Sequence, residues 1–169
     1  MPTTTRASAP PDVKLRFGRR QWHVFITELA ARGKGQRESG AFLLGRAGDS
    51  RHRVRHIVYL DDLDPNCLTG GITFDGSAYS KLWDMCDELD LQVIGDAHTH
   101  PRDWVAQSDT DASSPMLAKA GHVAIIVPHF AAGHPTARNL GVHEYSANEW
   151  TSWFQKDARR TVRIDWWRQ

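Results

Sequence analysis

The sequence predicts a mixed α/β protein of the α+β kind: one domain with a central, mixed but mostly antiparallel sheet flanked by helices. Three observations predict it. The chain has 169 residues, the size of one compact domain with a real core and too short for an eight-stranded α/β barrel. Segments of helical period and segments of strand character follow one another with no internal repeat. Two nearly continuous apolar runs, at 91–97 and 122–127, have the signature of strands buried on both faces.

Residues 1–12 are rich in Thr, Ala and Pro and read as a disordered tail, which leaves 13–169 as the domain. A short strand is expected at 14–17. Trp22, Phe25, Ile26, Leu29 and Ala30 then fall at i, i+3, i+4, i+7 and i+8, one apolar face of a helix that Gly33 and Gly35 stop. Residues 39–44 read as a strand closed by Gly45. A turn at 47–50 leads into 51–60, where Arg51, Arg53 and Arg55 are interleaved with Val54, Ile57 and Val58, as on a half-exposed strand. Residues 61–71 carry turn residues without a period and are expected to be a surface loop. A second helix is expected over 77–89, capped by Asp75 or Ser77, with Tyr79, Leu82, Trp83 and Cys86 facing inward. Ser114-Pro115 has the form of an N-cap and first helical residue, so a short third helix should end at Gly121. Strands are expected at 140–145 and 161–164, with a short helix at 149–155 whose Trp150 and Trp153, three apart, are core.

Composition excludes some roles. The net charge is +1 with histidines neutral, which gives no general attraction to nucleic acid or membrane. Arginines 51, 53 and 55 and arginines 159, 160 and 163 read as solvated faces. Cys67 and Cys86 lack the spacing of a metal or redox pair and suggest no secreted disulfide framework. Residues 1–12 have no apolar core of a secretion signal, and no run is long enough to span a bilayer, so a reducing, cytoplasmic setting is expected.

The segment that carries chemistry is His98-Thr99-His100-Pro101, followed at Ser108 and Asp111. Residues i and i+2 of a strand share a face, so His98 and His100 can converge on one metal ion. A loop of eleven residues can bring the Asp111 carboxylate back to the same point. Two histidines and an aspartate form a three-ligand set that leaves a catalytic zinc one open position. Such a centre needs a carboxylate base that is not a ligand. Among Glu28, Glu38, Glu88 and Asp96, Glu38 ranks first because it opens an apolar strand; Asp96 is a candidate supporting partner of the histidines. Trp104 lies within the metal loop, where it can line a substrate groove or pack in the core. Trp166 and Trp167 can pack down or offer a contact surface. The remaining histidines read as surface or satisfied core residues.

The run HxHPx6SxxD resembles the signature of the JAMM, or MPN-plus, metalloproteases. Glu38, followed by a Gly-containing strand ending Leu43-Leu44-Gly45, is similar to that family's glutamate strand. The resemblance implies a single MPN-type domain holding one zinc ion through His98, His100 and Asp111, with Glu38 as general acid/base and Ser108 helping to hold the oxyanion. It also implies an isopeptidase that cuts after the C-terminal glycine of a ubiquitin-like modifier, bound as an added strand. The loops at 61–71 and 129–136 are the expected recognition elements. The chain is similar to stand-alone bacterial members, whose companions are activating-like and conjugating-like enzymes, some in antiphage defence. Two other readings accompany it: a processing peptidase for a ubiquitin-like or sulfur-carrier precursor, and a zinc-binding scaffold without turnover.

Overall fold

The computed structural model describes residues 11–166. The expectations for residues 1–10 and for Trp167 lie outside them. Among the described residues, eight strands and five α-helices follow one another in the predicted mixed order, and the expected mixed, mostly antiparallel sheet with flanking helices is observed.

The first strand, β1 (Leu15–Gly18), lies parallel to the last, β8 (Val162–Asp165), in a small two-stranded sheet. Helix α1 (Arg19–Gly33) follows, and Lys34 ends it in the left-handed conformation, with its N–H bonded to the Ala30 carbonyl. The main sheet has the order β3-β2-β4-β5-β6-β7. Its members are β2 (Gly40–Gly45), β3 (His56–Tyr59), β4 (Gln92–Thr99), β5 (His122–Val127), β6 (Gly141–Ser146) and β7 (Glu149–Phe154). All neighbours are antiparallel except β4 and β5. Strands β2, β4 and β5 sit inside the sheet, which is why their sequences are apolar almost throughout.

The two sheet faces are covered differently. On one, the predicted stripe of α1 packs with β1 and β8: Phe17 stacks on Phe25 at 5.5 Å, and Trp22 meets Phe17 edge-on at 5.0 Å. On the other, α3 (Gly76–Leu89) lays Ala78, Leu82 and Cys86 against Phe42 and Leu44. The Asp75 carboxylate caps α3 by accepting from the Ser77 N–H, as expected. Each fully buried Leu or Phe contributes about 1.5–3 kcal/mol relative to exposure, so both layers are needed to hold the sheet.

Several expectations fail for local reasons. The segment 149–155 is a strand, not a helix. Ala147 and Asn148, with φ of 50° and 65°, form a two-residue turn that pairs Ser146 with Glu149, and the hairpin continues to Phe154. The helix comes after it, as α5 (Gln155–Thr161). The helix at 115–121 is absent; α4 (Asp109–Ser113) forms earlier because Ser108 and Asp111 cap it reciprocally. The segment 61–71 is not all surface. It starts in α2 (Leu60–Leu63), and Leu63, Cys67 and Leu68 are buried in the α3 layer. The strand at 51–60 shrinks to β3, with Arg53 keeping only an isolated bridge to Arg16. Trp83 is not core; it is 41% exposed and stacks on Tyr79.

Candidate metal centre

β4 ends at Thr99 beside the end of β5, and the chain leaves the sheet there. His98 and His100 flank Thr99, and Thr99 is locked in place. Its N–H donates to the Ser39 carbonyl at 2.9 Å, and its hydroxyl accepts from the Ser39 N–H at 3.0 Å. Ser39 in turn donates its hydroxyl to the Leu29 carbonyl of α1. The residue before Ser39 is Glu38, so the clamp that fixes the histidine pair also fixes the carboxylate. This Ser39–Thr99 clamp was invisible in the sequence, because nothing about two small hydroxyl residues 60 positions apart announces that they touch.

The three predicted donors converge. His98 Nε2 and His100 Nε2 are 3.1 Å apart, and the Asp111 carboxylate oxygens lie 3.6 and 3.5 Å from them respectively. Tetrahedral zinc with ligand bonds of about 2.0–2.2 Å needs donors roughly 3.3–3.5 Å apart, so the set fits. This His98–His100–Asp111 group can hold a metal ion.

Two of the three candidate ligands, His100 and Asp111, are oriented by a second contact, as metal-binding side chains generally require. His100 Nδ1 donates to the Trp104 carbonyl at 2.9 Å, which leaves Nε2 free to face the metal, and the Trp104 ring stacks on the imidazole. Asp111 Oδ2 accepts from the Ser108 N–H at 2.8 Å and from the Ser108 hydroxyl at 2.7 Å. The Ser108 proton is thus committed to the ligand in this structure. Burial alone would raise the Asp111 pKa, but hydrogen bonds from His100, His98 and Ser108 hold it well below the carboxylate range. Burial pulls His100 down, yet the Asp111 carboxylate, the Trp104 carbonyl and the Glu38 charge raise it above its ordinary value.

Glu38 lines the same cleft of about 360 Å³, together with His98, Ser108, Asp111 and the backbone of Gly71. Burial pushes its pKa above the ordinary 4.5; the His98 and His100 charges oppose that shift and Asp111 reinforces it. A carboxyl whose pKa burial displaces upward, in a cleft beside three convergent donors, is a candidate for exchanging protons there. Asp96 does not support the ligands. It accepts from His122 Nε2 in a buried pair, and His122 Nδ1 has no partner among the described residues. Of the expected recognition loops, 61–71 reaches this cleft through Gly71, whereas 129–136 lines a neighbouring one that begins at Trp104. Trp150 also borders the metal cleft and donates its Nε1–H to the Ala112 carbonyl.

Three further residues hold the metal loop, and sequence reasoning missed all of them. His143 Nε2 donates to the Val105 carbonyl at 3.0 Å, while its Nδ1 accepts from the Ser152 hydroxyl. Gly141, two residues earlier on the same face of β6, gives that carbonyl room: a Cβ there would stand 1.8 Å from the Val105 oxygen. Phe130 donates its N–H to the His100 carbonyl at 2.8 Å from within a turn, His129–Ala131, whose three residues are all left-handed. Left-handed conformation costs non-glycine residues about 1–2 kcal/mol each, so this turn stores strain directly behind a ligand.

No family model matches the chain. Among solved structures, it is similar to a protein from Desulfitobacterium hafniense, with a TM-score of 0.61 and 13% identity over 90% of this chain and 94% of that one. It is also similar to a protein from Salinibacter ruber, with a TM-score of 0.57 and 20% identity over 89% and 92%. A JAB1/MPN domain protein from Archaeoglobus fulgidus aligns with a TM-score of 0.45 and 14% identity over 76% and 88%. The first two likenesses concern the fold. Among the described residues no helix is long and apolar enough to cross a membrane.

Proposed function

We propose that this chain is a JAMM-type zinc isopeptidase that cuts after the C-terminal glycine of a ubiquitin-like modifier. The observation that carries the reading is the convergence of His98, His100 and Asp111 on one point, with Glu38 in the same cleft. The HxHPx6SxxD resemblance supplies the substrate class. Zinc bound there would supply a Lewis acid that activates water and polarises a carbonyl. Glu38 takes the proton of the attacking water on its carboxylate and returns it to the departing amine, a role that fits its raised pKa. Ser108 orients Asp111 by donating its hydroxyl proton to that carboxylate, and it helps hold an oxyanion only when that hydroxyl turns from Asp111 to the substrate. The cleft's small volume and the glycine backbone on its wall favour a chain with small side chains, such as one ending Gly-Gly.

The proposal extends to residues 13–169 acting as one such domain in the cytoplasm, in a bacterial ubiquitin-like conjugation pathway with activating-like and conjugating-like companions, an antiphage setting included. The test is zinc content together with cleavage of ubiquitin-like conjugates. Wild type should carry about one zinc per chain and cut a lysine-linked conjugate, and Glu38→Gln should keep the zinc and lose the cutting. Preferential turnover of a linear C-terminal extension would favour a precursor-processing peptidase. Bound zinc with no cleavage above that of Glu38→Gln would leave a scaffold.

A further inference from the structure

Arginines far apart in sequence meet on the face of the molecule covered by α1. A groove of about 720 Å³ there is lined by Arg19 and His23 of α1, His134 and Arg138 from the segment after β5, and Arg159 and Arg163 from the end of α5 and β8. No acidic side chain lines it among the described residues. The acids nearest in sequence are engaged elsewhere: Asp157 with Arg160, and Asp165 with Arg16. None of the four groove arginines has an acidic partner within 4 Å among the described residues. An aromatic wall completes the groove. Trp166 is 76% exposed, with the Arg19 guanidinium 4.1 Å from its ring centroid, and His23 stacks on His134 at 5.5 Å. The groove adjoins a second cleft through Arg19, His23 and Trp166, and that one also lacks an acidic lining residue.

The opposite layer has the reverse charge. Residues 59–91, which include α2 and α3, contain eight acidic residues and one basic, Lys81. The near-zero net charge therefore covers an uneven distribution: Asp61 and Asp62 pair with Arg32 of α1, the other six acids of this segment belong to the α2–α3 region, and the groove is lined by cations without an acid. Unpaired guanidinium groups held close together repel one another and gain only when an anion arrives.

We infer that the α1-side groove is the docking surface for an acidic segment of a partner protein. Its cations are arginine and histidine, with no lysine, beside an exposed tryptophan, which is the composition of protein interfaces rather than of phosphate-tracking surfaces. Its volume suits a few side chains of a peptide rather than a duplex. A second copy of this chain, offering its α3 layer, would meet the groove head-to-tail and build rings or filaments, which sedimentation would show as larger species. His134 and Arg138 also line the neighbouring cleft that includes Trp104, whose ring stacks on His100, so the groove and that cleft share these side chains.

The test uses fluorescence anisotropy with a labelled dodecapeptide of alternating Glu and Gly as probe. Labelled dodecathymidylate and phosphatidylserine–phosphatidylcholine vesicles serve as comparison arms. The variants are R138E/R163E, the milder R138Q/R163Q, and R46E/R51E as a control of equal charge change on the β2–β3 loop. The peptide should bind wild type and the control alike, weaken about tenfold in the Gln pair and more in the Glu pair, and lose affinity with salt. Sedimentation of wild type should show a single small species. The inference is overturned by a peptide that binds all four proteins equally or wild type not at all. It is equally overturned by the oligonucleotide or the vesicles taking the groove more tightly than the peptide, or by salt-sensitive self-association that the Gln pair abolishes.

Discussion

Gly141→Ala tests whether the metal loop is positioned from β6. The added Cβ would lie 1.8 Å from the Val105 oxygen, 2.9 Å from its carbonyl carbon and 2.8 Å from His143 Nε2. An ordinary carbon–oxygen contact is about 3.3 Å, so strand and loop must part by roughly 1.5 Å. That separation is enough to break the 3.0 Å bond from His143 to Val105. The neighbouring peptide carries the Trp104 carbonyl that holds His100 Nδ1, so the ligand loses its orientation as well. Losing a contact of this kind typically costs about 10- to 100-fold in metal affinity, equivalent to about 1.4–2.7 kcal/mol. The assay is competition for zinc against a chromophoric chelator, with thermal unfolding in excess chelator showing that the variant still folds. His143→Ala removes the bond without the collision and should lose about tenfold, and His143→Gln, which keeps a donor, should recover part of it. If Gly141→Ala and His143→Ala fold and bind zinc as tightly as wild type, β6 has no part in positioning the ligands.

Other outcomes follow from the same contacts. Ser108→Ala should lower stability by about 1 kcal/mol through loss of the α4 cap, and should weaken zinc binding because Asp111 Oδ2 loses a donor; chemical unfolding and chelator competition read the two effects separately. Asp96→Ala strands His122 in the core and should cost about 3 kcal/mol in urea unfolding while leaving zinc affinity unchanged, since Asp96 bonds to no ligand. Burial lowers His143 below its ordinary 6.5, opposed by the Val105 carbonyl. Stability from the neutral ring is therefore complete above 6.5 and drains away as pH falls from there through the lowered value. His143→Gln should accordingly show a smaller drop in unfolding midpoint between pH 7.5 and 5.5 than wild type, measured without metal.

The convergence of His98, His100 and Asp111 was legible because its rules are local. A strand places i and i+2 on one side, and a single loop returns Asp111. Glu38 could be ranked from its odd position at the head of an apolar strand, but its place in the cleft depends on the Ser39–Thr99 clamp, a contact between distant strands. The β7 error came from reading Trp150 and Trp153 at helical spacing when the Ala147-Asn148 turn had already committed the segment to a hairpin. The misplaced third helix came from choosing one serine cap over another: Ser108 has an acid three residues on to answer it, and Ser114 has none. That Arg159 and Arg163 share a groove with Arg19 and Arg138 could not be read from the sequence, because it requires α1, the segment after β5, α5 and β8 to be assembled first.

The parallel pairing of β1 with β8 sets an order on folding. Leu15 and Phe17 pair only when Val162 and Ile164, far along the sequence, have been brought to them. Until then, the apolar flank of α1 has its sheet floor but not its far wall, and Phe17 and Phe25 have incomplete cover. A contact of such long sequence separation closes late and slowly. The candidate metal centre is tied to α1 through the Ser39–Leu29 bond, so the order in which α1 gains its full cover bears on the loop that carries the donors.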